Sequence, residues 1–262
     1  FPNMPAEHQV LKRALVHNPE DAMAHYYLGC FLYDKRRHED ARTAWEECIR
    51  LRDDFPTAHR NLALYHANKK GDFATARREL EQAFELNPED ARVFYELCEL
   101  YRKTGVPLDE QRRHLEAHPS LVALRDDLTL LYVEILNCLG EHAAALDLLM
   151  NRTFRPWEGG EGKVPSQHIE ARLGLARQLL GAGDPEAAIR HLEQARVYHH
   201  NFGEGKLPGA QENHIFYTLG LAWLRRDPAQ ARDWFEQAAV GLSEPTGAMY
   251  YNDQPPHMIY YQ

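Results

Sequence analysis

The sequence predicts an all-α solenoid, a right-handed superhelix of about six stacked helix pairs. Three observations predict it. The pentapeptide Asn18-Pro19-Glu20-Asp21-Ala22 recurs letter for letter as Asn87-Pro88-Glu89-Asp90-Ala91, two units further on. A unit is therefore about 34 residues long, the period of a helix-turn-helix repeat. Finally, 44% of the 262 residues are hydrophobic, and Ala, Leu, Glu and Arg abound while β-branched runs are few, a composition that favours helices.

The unit is clearest in residues 22–55. With Ala22 counted as position 1, Leu28 and Gly29 fall at 7 and 8, Leu32 at 11, Ala41 at 20, Trp45 at 24 and Cys48 at 27. Small residues at 8, 20 and 27 let two antiparallel helices approach, and large apolar residues at 7, 11 and 24 fill the space between them. This spacing resembles the tetratricopeptide repeat. The resemblance implies an array whose pairs each leave an apolar face for the next pair to cover, and which binds peptides or other proteins.

Taken in order, residues 1–21 read as half a repeat, a second helix with Leu11 and Ala14 at positions 24 and 27. Residues 22–55 are repeat one. Residues 56–90 are repeat two, with Leu62, Ala63, Ala76, Leu80 and Ala83 in place and one extra residue near Lys69-Lys70-Gly71, in a turn where insertion costs least. Repeat three, 91–120, is good in its first helix but has Glu110 and His114 where the second wants an alanine and an aromatic. Repeat four, 121–165, has a first helix expected near 124–139, and repeats five and six occupy 166–210 and 211–256. Residues 257–262 read as the start of a further helix. The whole chain, 1–262, is expected to be one solenoid fragment excised from a longer array.

Formal net charge is −9, which argues against nucleic acid and anionic membrane as partners, and no apolar run of about 18 residues predicts a membrane span. Cys30, Cys48, Cys98 and Cys138 lack any C-x-x-C spacing and read as small reduced core residues, pointing to the cytoplasm. Gly162-Lys163 and Gly205-Lys206 do not make a phosphate loop. Trp157 and His200 stand where its first glycine belongs, and Val164 and Leu207 replace its Ser/Thr. The fifteen histidines show no H-E-x-x-H spacing, so no metal is expected. No cofactor and no catalytic set emerges, and a non-enzymatic binding or scaffolding module of a larger protein is the expected function.

Two surfaces are candidates for binding. In tetratricopeptide arrays, positions 2, 5, 9, 12 and 13 of the first helices line a concave groove. The resemblance places Tyr26, Tyr33, Arg60, Asn68, Tyr95, Glu99, Arg102, Lys103, Arg177 and Tyr217 there, and Tyr and Arg are favoured contact residues. The second surface is three odd loops, Trp157-Glu158-Gly159-Gly160-Glu161-Gly162, Asn201-Phe202-Gly203-Glu204-Gly205-Lys206 and Tyr250-Tyr251-Asn252-Asp253-Gln254-Pro255-Pro256. These resemble segments of a bacterial family in which a mutarotase-like β-sandwich precedes a tetratricopeptide array, a likeness covering roughly the last 110 residues and implying carbohydrate. Each loop joins the second helix of one repeat to the first of the next, so the three are expected to meet. Two readings stay open. Trp157, Glu158, Glu161, Glu204, Lys206, Asn252 and Asp253 hold a polyhydroxylated or charged ligand, or the loops pack on each other with Trp157 as their plug.

Overall fold

The computed structural model describes residues 2–207, 210 and 212–239. These are helical, with no strand among the described residues. The chain forms two compact units, residues 1–107 and 108–262. The division falls inside repeat three, after its regular first helix and before the second helix whose key positions are occupied by Glu110 and His114.

The first unit holds α1 (Pro5–His17), α2 (Ala22–Asp34), α3 (His38–Leu51), α4 (Pro56–Tyr65), α5 (Phe73–Leu86) and α6 (Ala91–Lys103). The duplicated pentapeptide is a helix-to-helix turn. Asp21 and Asp90 cap α2 and α6, their carboxylates accepting from Ala24 N at 3.0 Å and Val93 N at 3.1 Å. In each copy the Asp backbone N–H donates to the preceding Asn carbonyl at 3.2 Å. Such a cap is worth about 1 kcal/mol, enough to fix where each helix starts.

Small against large is the packing rule. A side chain at Gly29 would collide with the Trp45 indole across the α2–α3 pair, the two positions the spacing matched. Trp45, Cys48, Leu32 and Ala41 are buried together, and burial pushes the Cys48 thiol up to about 11, so it stays a protonated packing group. The residue inserted in repeat two is absorbed as a π-turn, His66–Lys70, closed by Gly71 in the left-handed conformation at φ 66°. Beyond it Ala76 is completely buried. Ala76→Leu is expected to overpack the pair and destabilise by about 1–3 kcal/mol; an unchanged melting midpoint would reject the register.

The second unit holds α7 (Leu108–Glu116), α8 (Pro119–Leu124), α9 (Asp126–Cys138), α10 (His142–Met150), α11 (Lys163–Gly181), α12 (Pro185–Ala195), α13 (Asn213–Trp223) and α14 (Pro228–Ala238). The first helix of repeat four, expected near 124–139, is α9, and the extended backbone of Arg125 sets it apart from a short helix before it, α8, that the repeat spacing did not predict. Pro119 opens the extra helix α8 at a position that needs no N–H, and Thr129 Oγ donates to the Val122 carbonyl at 2.7 Å across the break. The pairs α9–α10, α11–α12 and α13–α14 follow, and the last repeats the small-against-large rule with Gly220 beneath Phe235. Among the described residues one apolar cluster gathers around Leu136, Leu149, Phe154 and Phe202 and another around Leu173, Leu192, Ile215 and Leu219. The expected helix at 257–262 and the third odd loop, 250–256, lie outside the described residues.

Candidate functional site

In the first unit the first helices of successive pairs present one connected face. Asn61 Nδ2 on α4 donates to Cys30 Sγ on α2 at 3.6 Å. Arg60 Nε on α4 donates to Glu96 Oε2 on α6 at 2.7 Å. Of the residues placed on this face by pattern, Tyr26 is only 4% exposed, its ring edge-on to Phe55 at 4.8 Å, so it belongs to the core. Tyr33 is half-buried against His38 and Trp45. Arg60 is held by Glu96, and Tyr95 and Glu99 are half-buried. Asn68, Arg102 and Lys103 are exposed, with Arg102 Nη2 2.8 Å from Glu99. In the second unit Arg177 is exposed and 3.7 Å from Glu170, and Tyr217 rests against Phe235 at 5.6 Å.

Two of the three odd loops meet, also in the second unit. Phe154 N–H donates to the Asn201 carbonyl at 2.8 Å. Asn201 Nδ2 returns to the Leu149 and Arg152 carbonyls, each at 2.8 Å, closing the open end of α10. Gly162 N–H donates to Glu204 Oε2 at 2.8 Å. Gly203, at φ 74°, lies so close to the Phe154 carbonyl that a side chain would press on it.

The side chains picked out as ligand groups are divided by this geometry. Trp157 is half-buried, packs on the cluster that holds Phe154 and Phe202, and lies across Gly160, where any side chain would strike the indole. Glu204 is half-buried; burial raises its pKa, which the Gly162 N–H opposes and Glu161 reinforces. Lys206 Nζ is 2.7 Å from the buried Glu212, which also takes Arg196. Glu158 and Glu161 are exposed. Asn252 and Asp253 lie outside the described residues.

The family model for the tetratricopeptide repeat matches residues 6–47, 63–105 and 173–244, more than half the sequence. The chain belongs to the tetratricopeptide repeat family. Among solved structures it is similar to YrrB, a tetratricopeptide repeat protein with an unusual peptide-binding site, at 18% identity over 71% of this chain and 90% of that one, with a TM-score of 0.52. A tetratricopeptide repeat protein from Parabacteroides merdae is 14% identical over 88% and 84% of the two chains, TM-score 0.48. PilF of Pseudomonas aeruginosa is 15% identical over 89% and 96%, TM-score 0.46. At these identities the likeness is one of fold.

Repeat pattern reading missed the two phenylalanines that seat the loops of this tetratricopeptide array. Phe154 and Phe202 are 2% and 1% exposed. Each is the lone phenylalanine of a Gly-rich or polar loop, and that isolation is the signal that could have found them. Among the described residues no helix is long and apolar enough to cross a membrane.

Proposed function

We propose that the chain is a non-enzymatic binding or scaffolding module that receives a protein or peptide on the first-helix face of its repeats. The observation that carries this is the face itself. The α2, α4 and α6 helices are joined by Asn61–Cys30 and Arg60–Glu96 contacts, so their side chains form one surface. Asn68, Arg102 and Lys103 stand exposed on its last turns. Peptide binding by YrrB, an array of like fold, agrees with this reading. Peptides selected on the parent chain from a display library are expected to bind the Arg102→Glu, Lys103→Glu double variant at least about tenfold more weakly, a loss of about 1.4 kcal/mol, with an unchanged melting midpoint. Selected peptides that ignore both substitutions would move the partner surface elsewhere.

The loop cluster supports a structural role ahead of a carbohydrate site, because Glu204 and Lys206, two of its four described polar candidates, and the Trp157 ring are already committed. Glu204 holds Gly162, Lys206 holds Glu212, and Trp157 covers Gly160. Trp157→Ala is expected to destabilise by about 2 kcal/mol, less than a fully buried indole would cost. Glu204→Gln keeps an acceptor for Gly162 and is expected to leave the melt nearly unchanged. A carbohydrate whose binding either variant abolishes, without change in stability, would restore the ligand reading.

A further inference from the structure

Repeat five contains an arginine without an acid. Arg172 lies half-buried on α11. Its Nε is 3.2 Å from His168 Nε2 on the same helix, and its Nη1 is 3.2 Å from His191 Nδ1 on α12. Among the described residues these imidazoles are its only polar partners. A third, His199, comes from the loop after α12, its ring edge-on to His168 at 5.2 Å. His199 Nε2 is buried and has no hydrogen-bond partner.

A guanidinium only donates, so the ring nitrogens facing it are acceptors. His168 and His191 are thereby assigned as neutral rings, with their protons on the far nitrogens. Burial, followed by Arg172 and His199, pushes His168 down to about 3, and burial also lowers His191 and His199. The cluster is one fixed positive charge among neutral rings.

The same register elsewhere in the chain is filled differently. Arg172 precedes Leu175-Ala176 as His59 precedes Leu62-Ala63, and His191 follows Ala188 as Glu79 follows Ala76. In repeat two these two positions hold an acid–base pair, with His59 Nδ1 2.8 Å from Glu79 Oε2. Repeat five keeps the base, strengthens it to arginine, and puts histidine where the acid stood. With 39 Asp and Glu in the chain, acids are not scarce. A partly buried charge ordinarily has a counter-charge.

We propose that Arg172, with His191 and His199 beside it, binds a single oxyanion, a carboxylate or phosphate group, that completes the pair left open in repeat five. Two of the five guanidinium N–H groups serve the imidazoles, and the remaining three form a fork suited to two oxygens. His199 in the tautomer with hydrogen on Nε2 adds a donor. Binding here does not depend on the first-helix reading above.

The test is a titration of the full chain with sodium phosphate and, separately, sodium acetate, at constant pH and ionic strength balanced with chloride. The melting midpoint is expected to rise saturably with one or both anions, the imidazole resonances of His191 and His199 moving with the same concentration midpoint. Whichever anion acts at lower concentration identifies the group. In Arg172→Gln the response should weaken by on the order of tenfold or more. Should that variant fail to fold, His191→Glu decides: it rebuilds the repeat-two pair, and should melt higher than the parent without phosphate and no longer respond to it. No effect of either anion on the parent beyond that of chloride, or an undiminished response in the folded variants, overturns the proposal.

Discussion

Replacing Phe154 by alanine is expected to destabilise the second unit by about 3–5 kcal/mol, as for other fully buried aromatics. Its ring is enclosed with Leu130, Val133, Leu136, Leu149, Val164 and Phe202, and a cavity there has little freedom to collapse between rigid helices. The loss should also spread in a specific way. The Phe154 backbone and the Asn201 side chain tie the two loops to each other and to the end of α10. Amide hydrogen exchange of residues 152–162 and 199–206 should therefore accelerate together. Acceleration confined to the first loop, or a loss under about 1 kcal/mol, would show that Phe154 does not seat the second.

The second large effect is an acid sensitivity centred on His168. This ring is 1% exposed, touches Phe202 and His199 at 5.0 and 5.2 Å, and accepts from Arg172 Nε at 3.2 Å, Arg172 also reaching His191. Its folded pKa is pushed down to about 3 from an ordinary 6.5. Between those values the unfolded chain binds a proton that the folded chain refuses. The stability this neutral ring confers is thus fully present above about pH 6.5 and is lost as pH falls towards about 3, at up to about 1.4 kcal/mol per pH unit. His191 and His199, lowered in the same direction, act with it. Urea denaturation at stepwise lower pH should show the decline. His168→Gln, which keeps an acceptor for Arg172 but cannot titrate, should flatten it. Equal slopes in parent and variant would place the acid sensitivity elsewhere.

The helix pairs were legible because their physics is local and periodic. Gly29 under Trp45 and Gly220 under Phe235 are pairs of letters at fixed spacing, each dictated by one helix crossing. The turn aspartates repeat because each helix start needs an acceptor. What escaped the pattern is what has no period. Residues 119–124 carry no repeat spacing of their own, yet they form α8, set off from α9 by the extended backbone of Arg125. The Gly-rich loops drew attention to their charges, whereas their position is fixed by Phe154 and Phe202, one fully buried ring in each. The contact of the two loops could be expected from their common place in the repeat; the Asn201 bonds that make it could not. Arg172 and His191 are 19 residues apart on different helices, and only comparison with His59 and Glu79 exposes the missing acid.

The clasp between the loops changes what kind of object this stretch of the array is. Repeats that touch only their neighbours can be exchanged, duplicated or deleted one at a time, because each junction resembles the next. Here the segment entering α11 is fastened to the segment leaving α12, so repeat five is gripped at both its entrance and its exit. A different repeat put in place of residues 163–206 would arrive without Asn201, Gly203 or Phe202 and leave α10 uncapped. Residues 151–206 are therefore expected to tolerate exchange only as one piece.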